Sequence, residues 1–148
     1  MEGFVSKAVS LVLVLLMLII APLIHTYGVH DAEARMELLS DVTEFLDKVT
    51  DKHSITQDDI DEFTLAVESH GFVLSVEVDR LVKISTPMTA GGINTTYVAA
   101  DDLTVVNPRD VVRVRLRETS TTPFKKFCRE FLKIDEGAYS LDMAKMAK

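Results

Sequence analysis

The chain reads as an α+β protein in which an N-terminal transmembrane helix is extended by an amphipathic helix packed on a small antiparallel sheet. Three observations predict this. Ala8 to Ile24 is an uninterrupted apolar run without a charge. Leu38, Leu39, Val42, Phe45, Leu46 and Val49 then recur at steps of three and four, the spacing of one helix face. From Phe72 onward the apolar period drops to two, as in a strand with one wet face.

The apolar run comes first. Its seventeen residues make a helix of roughly 26 Å at about 1.5 Å per residue. Phe4 and Val5 before it and Tyr27 after it extend it to the roughly 30 Å hydrocarbon core of a bilayer. We therefore expect a short cytoplasmic N-terminus over 1–7 and a transmembrane helix over 8–27. Lys7 precedes the run, whereas His25, His30, Asp31 and Glu33 follow it, and the first fixed positive charge beyond it is Arg35. Basic residues stay on the cytoplasmic side. The expectation is a single-pass membrane protein, N-terminus inside and C-terminal domain extracytoplasmic, with the lipid bilayer as a partner. A cleaved signal peptide is the competing reading, with Ala32-Glu33-Ala34 as an A-x-A site. That site lies ten residues past Ile24, and the run exceeds the usual signal core of about 7–15 residues.

Composition bounds the domain. The net charge of −7 belongs to the chain after Ile24. An acidic domain lacks the basic face that phosphate contact needs, so no nucleic-acid partner is expected. The one cysteine, Cys128, excludes an internal disulfide framework and a Cys-rich zinc site. Residues 28–134 are long enough for one extracytoplasmic α+β domain with its own core.

The elements follow in order. The stripe from Val29 to Lys52 is interleaved with Glu37, Asp41, Glu44, Asp47 and Lys48. Pro22 and Gly28 are its only breakers upstream as far as Gly3, so the membrane helix is expected to run into it, with a kink at Pro22 or a soft joint at Gly28. Ser54 or Thr56 can cap a second helix, with Asp58, Asp59, Asp61 and Glu62 near its positive end and Gly71 as its stop. Ile60, Phe63, Thr64 and Val67 form its buried side. The acids lack the glycine and alternating ligands of an EF-hand. A long strand carries Phe72, Leu74, Val76, Val78, Val82 and Ile84 on one face, broken only by Arg80. Thr86 to Asn94 reads as a loop because it contains Pro87, Gly91 and Gly92. Thr95 to Ala99, Leu103 to Val106 and Val111 to Glu118 read as further strands, the last two flanking the turn Asn107-Pro108-Arg109-Asp110. Arg113, Arg115 and Arg117 alternate with Val112, Val114 and Leu116. This row reads as a wet face paired across strands with acids such as Glu77 and Asp79.

Thr122-Pro123 starts a further helix. Phe124, Phe127, Cys128, Phe131 and Leu132 share one face, and Lys125, Lys126, Arg129 and Lys133 the other. Such a helix either docks on the sheet or lies on a membrane or partner. Phe124, Lys125, Lys126, Phe127, Arg129, Phe131 and Lys133 are the candidate contact residues. Residues 135–148 are expected to be a mobile tail.

No catalytic constellation is legible: no histidine pair at four-residue spacing, no nucleophile elbow and no glycine-rich phosphate loop. We expect no enzyme, no cofactor, no metal and no small-molecule substrate. An N-terminal apolar helix, an amphipathic continuation and a small antiparallel sheet resemble the type IV pilin-like and pseudopilin proteins, most closely a TadE-like minor pilin of a bacterial envelope. Gly3-Phe4 before the apolar run resembles a prepilin peptidase junction. Ala8 stands where pilins carry Glu five residues into the mature chain. The resemblance implies a membrane-anchored structural or assembly subunit of a pilus-like or secretion apparatus, associating with other anchored subunits through the apolar helix. A non-polymerising, membrane-tethered accessory or binding domain of the cell envelope is the alternative.

Overall fold

The computed structural model describes residues 2–88, 92–120, 125–126, 128–133 and 137–148. Helix α1 (Glu2–Lys52) includes Pro22 and Gly28. It is followed by α2 (Gln57–Ser69), β1 (Leu74–Met88), β2 (Gly92–Ala100), β3 (Val111–Glu118), a π-helical turn at Cys128–Leu132 and β4 (Ser140–Met146). This is the α+β architecture expected. The chain divides into two units, Met1–Met36 and Glu37–Lys148.

In the first unit α1 is long and apolar enough to cross a membrane. Leu11, Leu13, Met17, Leu18 and Ile19 on it are all more than half exposed.

The second unit is built on a four-stranded antiparallel sheet in the order β2-β1-β3-β4. The core takes Leu38, Val42, Phe45, Leu46 and Val49 from the second part of α1, and Phe63 and Val67 from α2. Leu74, Val112, Val114 and Leu116 come from the sheet. Leu39 of the expected stripe is 46% exposed instead, because the buried positions narrow to a seam of three- and four-residue steps that excludes it. Phe45 and Phe63 stack with centroids 4.4 Å apart.

Local chemistry explains the helix ends. α1 stops at His53, which takes a left-handed conformation (φ 56°) without the glycine that usually serves there. Thr56 is the N-cap of α2: its hydroxyl accepts from the Asp59 amide, and Asp59 accepts from the Thr56 amide at 3.0 Å. That reciprocal pair is a capping box. Gly71 (φ 79°) follows the C-cap His70, and its amide bonds Glu68 O.

Three expectations are corrected in the sheet region. Residues 135–148 are not a mobile tail throughout: Ser140–Met146 pairs with β3 from Val111↔Met146 to Arg117↔Ser140. The reason is a short alternation, with Leu141, Met143 and Lys145 half-buried beside Leu116, Val114 and Val112. Most of Thr86 to Asn94 is strand rather than loop. Pro87 pairs with Ile93 and Thr86 with Asn94, and residues 89–91 between the strands lie outside the described residues. Pro87 is tolerated because β1 beyond Leu81 pairs with β2 alone, leaving one side open. Leu103 to Val106 is not a sheet strand. Its backbone is taken by the α1–α2 connection instead: Ser54 bridges Val105, and the Val106 amide bonds His53 O at 3.0 Å.

Candidate functional site

Gly3 and Phe4 both lie at the start of α1, with Phe4 80% exposed and open space beside Gly3. The expected helix over 122–134 falls partly outside the described residues, and Phe124 and Phe127 with it. Lys125 and Lys126 are helical, and Cys128–Leu132, which includes Arg129 and Phe131, is a single π-helical turn. Lys133 follows with φ 57°.

The four cations of this segment do not share one wet face. Lys126, Arg129 and Lys133 are exposed. Lys125 is buried, and its ammonium donates to Glu118 Oε2 at 2.6 Å. The same carboxylate oxygen accepts from the Tyr139 amide at 2.8 Å. The ammonium also lies 6.0 Å from the centre of the Phe72 ring, and Phe72 stacks on Tyr139 at 6.3 Å. Lys125 is therefore corrected from a contact residue to an internal one: its charge closes the end of β3 against the start of β4. Cys128 is likewise buried.

Two arginines of the row, Arg113 and Arg115, are paired across strands, and Arg117 is exposed. Arg115 contacts Asp79 at 2.5 Å and Glu77 at 3.4 Å, and Arg113 contacts Asp142 at 3.1 Å. Of these pairs only Arg115 and Glu77 face each other directly; Asp79 lies opposite Arg113 and Asp142 opposite Arg115, so the other two contacts are diagonal. The guanidinium groups of Arg113 and Arg115, held by neighbouring carboxylates, offer little to an external anion.

Between α1 and α2 lies a shallow groove lined by Asp41, Glu44, Phe45, Lys48, Asp59, Glu62, Phe63 and Ala66. Two of its acids, Asp59 and Glu62, are paired with lysines. Lys48 bonds Glu62 at 2.5 Å and Asp59 at 3.3 Å, and Lys52 bonds Asp59 at 2.9 Å. The Thr56 hydroxyl foremost, then Lys52, holds the Asp59 carboxyl well below the usual carboxylate range. At the far end of α2, His70 sits between two acids of α1, Glu37 at 3.0 Å and Asp41 at 2.7 Å. Partners so distant in sequence cannot be found from spacing along one helix. Among the described residues, no three or more His, Cys, Asp or Glu side chains are grouped as metal ligands.

One feature had little sequence signal. β1 and β2 continue past the end of β3 as a two-stranded hairpin. β3 meets β1 only as far as Leu81, whereas β1 pairs β2 on to Met88. On this hairpin Ile84, Ile93, Tyr97 and Val98 are 47%, 76%, 40% and 46% exposed. The available hint was Gly92–Ala100, nine residues without a charge in a chain rich in them. Comparison with family models, with curated proteins and with solved structures finds no match.

Proposed function

We propose that this chain is a membrane-anchored structural or assembly subunit of the cell envelope, of the pilin-like or secretion-apparatus kind. In this reading the first part of α1 crosses the bilayer with its N-terminus cytoplasmic, and Glu37–Lys148 is the extracytoplasmic domain. The carrying observation is the exposed apolar surface of α1 from Leu11 to Ile19. A soluble protein does not leave such a continuous apolar surface in water, whereas a helix satisfies its own backbone and can present that surface to lipid or to like helices. An anchor, an amphipathic continuation and a small antiparallel sheet also match the outline of pilin-like subunits.

Two measurements test the proposal. External protease on intact cells should remove the region beyond Tyr27, and its protection there would reverse the orientation. The full chain, extracted in mild detergent, should sediment as an oligomer or with other anchored subunits. A monomer free of partners would leave the alternative, a tethered domain that does not assemble.

A further inference from the structure

Among the described residues the sheet has three open edges, and two of them are guarded. The outer edge of β4 carries Asp142 and Lys145, and Lys145 turns in to pair with Asp47 of α1. Inward-turned charges and short length are common protections against edge pairing. The open side of β1 beyond Leu81 carries Lys83 and Pro87, the other two usual guards. The third edge is β2. Gly92–Ala100 has no charge and no proline, pairs with β1 in unbroken register from Gly92 to Ala100, and is exposed up to its last residue. It is a long, regular and unprotected edge.

We infer that β2 is an interaction edge that pairs antiparallel with β2 of a second copy of this chain, joining two sheets into one. The inference rests on the membrane-anchored assembly reading. Charge is compatible with this occupant. The chain carries −7, so two copies repel each other generally, but this strand adds no like-charge contact when it meets itself. A charged partner strand would find no complement on it. Geometry is equally permissive. A two-fold axis perpendicular to the sheet keeps the two faces of the joined sheet aligned. With Thr96 on that axis all nine residues overlap: Thr96 faces its own copy, Thr95 faces Tyr97, Asn94 faces Val98, and Ile93 faces Ala99. Opposed threonines and an aromatic opposite a β-branched residue are favourable cross-strand pairs. Ile93, Tyr97 and Val98 thereby gain neighbours that the single chain does not supply. Anchoring in one bilayer raises the local concentration of copies, which favours a modest interface.

The test uses the full chain in mild detergent, with Cys128 in place. Thr96→Cys should form an interchain disulfide under mild oxidation, because directly opposed residues lie about 4.5–5.5 Å apart at Cα. Ser69→Cys, exposed at the end of α2, should not. Thr96→Lys sets two ammonium groups at the axis and should raise the dissociation constant of the oligomer about tenfold, with the secondary structure by circular dichroism unchanged because Thr96 is exposed. Equal cross-linking at Ser69 and Thr96, cross-linking of Thr96→Cys to a different protein, or an oligomer indifferent to Thr96→Lys overturns the inference. If the native chain still assembles in those cases, the anchored-subunit reading stands. A native chain that is monomeric and leaves Thr96→Cys unlinked overturns both.

Discussion

Arg80 donates from Nε to Asp110 Oδ2 at 2.8 Å, and both side chains are buried. Arg80 interrupts the apolar face of β1 between Val78 and Val82, and Asp110 is the last residue of the turn before β3. The pair is completed on both sides. Arg80 Nη1 donates to Asp102 O at 3.0 Å, and Asp110 Oδ2 accepts from the Asn107 amide at 2.9 Å. The polar break in the strand thus anchors the 102–110 loop where the sheet narrows to the β1–β2 hairpin. Removing one partner leaves a buried charge alone, a loss of about 3–5 kcal/mol. Arg80→Met and Asp110→Ala each strand the other charge and should each destabilise the domain by that amount, and the double variant should lose less than the sum of the two. Chemical denaturation of the three variants checks this, and losses that simply add would contradict it.

Leu46 is 2% exposed between Val42 and Val49, both fully buried. Leu46→Asp places an unpaired carboxylate in that seam, costing several kcal/mol, and the domain should lose its cooperative thermal transition. An unchanged transition would mean that the α1 stripe is not the core.

Asp59 predicts an acid limit. Its carboxyl is held low by the Thr56 hydroxyl and by Lys52, so the folded domain favours the ionised form. This contribution is fully present above the unfolded value of roughly 3.9. It declines as pH falls below that value toward the depressed folded one. Asp59→Asn should be less stable than the native chain at neutral pH, with the difference shrinking as the pH drops through about 4. Thermal midpoints between neutral and acidic pH measure it, and a difference that grows on acidification would refute the assignment.

The basic segment divides by burial. Lys125→Gln opens a buried pair with Glu118 and should destabilise the domain by about 3–5 kcal/mol. The combined change of Lys126, Arg129 and Lys133 to Gln touches exposed cations only and should leave the thermal midpoint within about 0.5 kcal/mol of stability. Any contact with anionic lipid would rest on those three, and would appear as low-salt vesicle binding lost in the triple variant.

Sequence by itself determined the features that depend on neighbours a few residues apart. The apolar run of Ala8 to Ile24, the stripe through Val42 and Val49, a cap for α2 at Ser54 or Thr56 with Gly71 as its stop, and the alternation of Val112 to Leu116 all follow from local periodicity and capping. Antiparallel order and the Arg–acid pairing followed from that alternation. Tertiary structure decided what depends on distant partners. Ser140–Met146 became a strand because β3 offered an edge for a weak alternation to complete. Leu103 to Val106 was withheld from the sheet because the α1–α2 connection took its backbone groups. Lys125 went inside because Glu118, the Tyr139 amide and the Phe72 ring met around it, and Ile84 stayed in contact with water because β3 ended before reaching it. Pairing and burial are set by which surfaces meet, and those surfaces come from residues far apart in the chain, where periodicity carries no information.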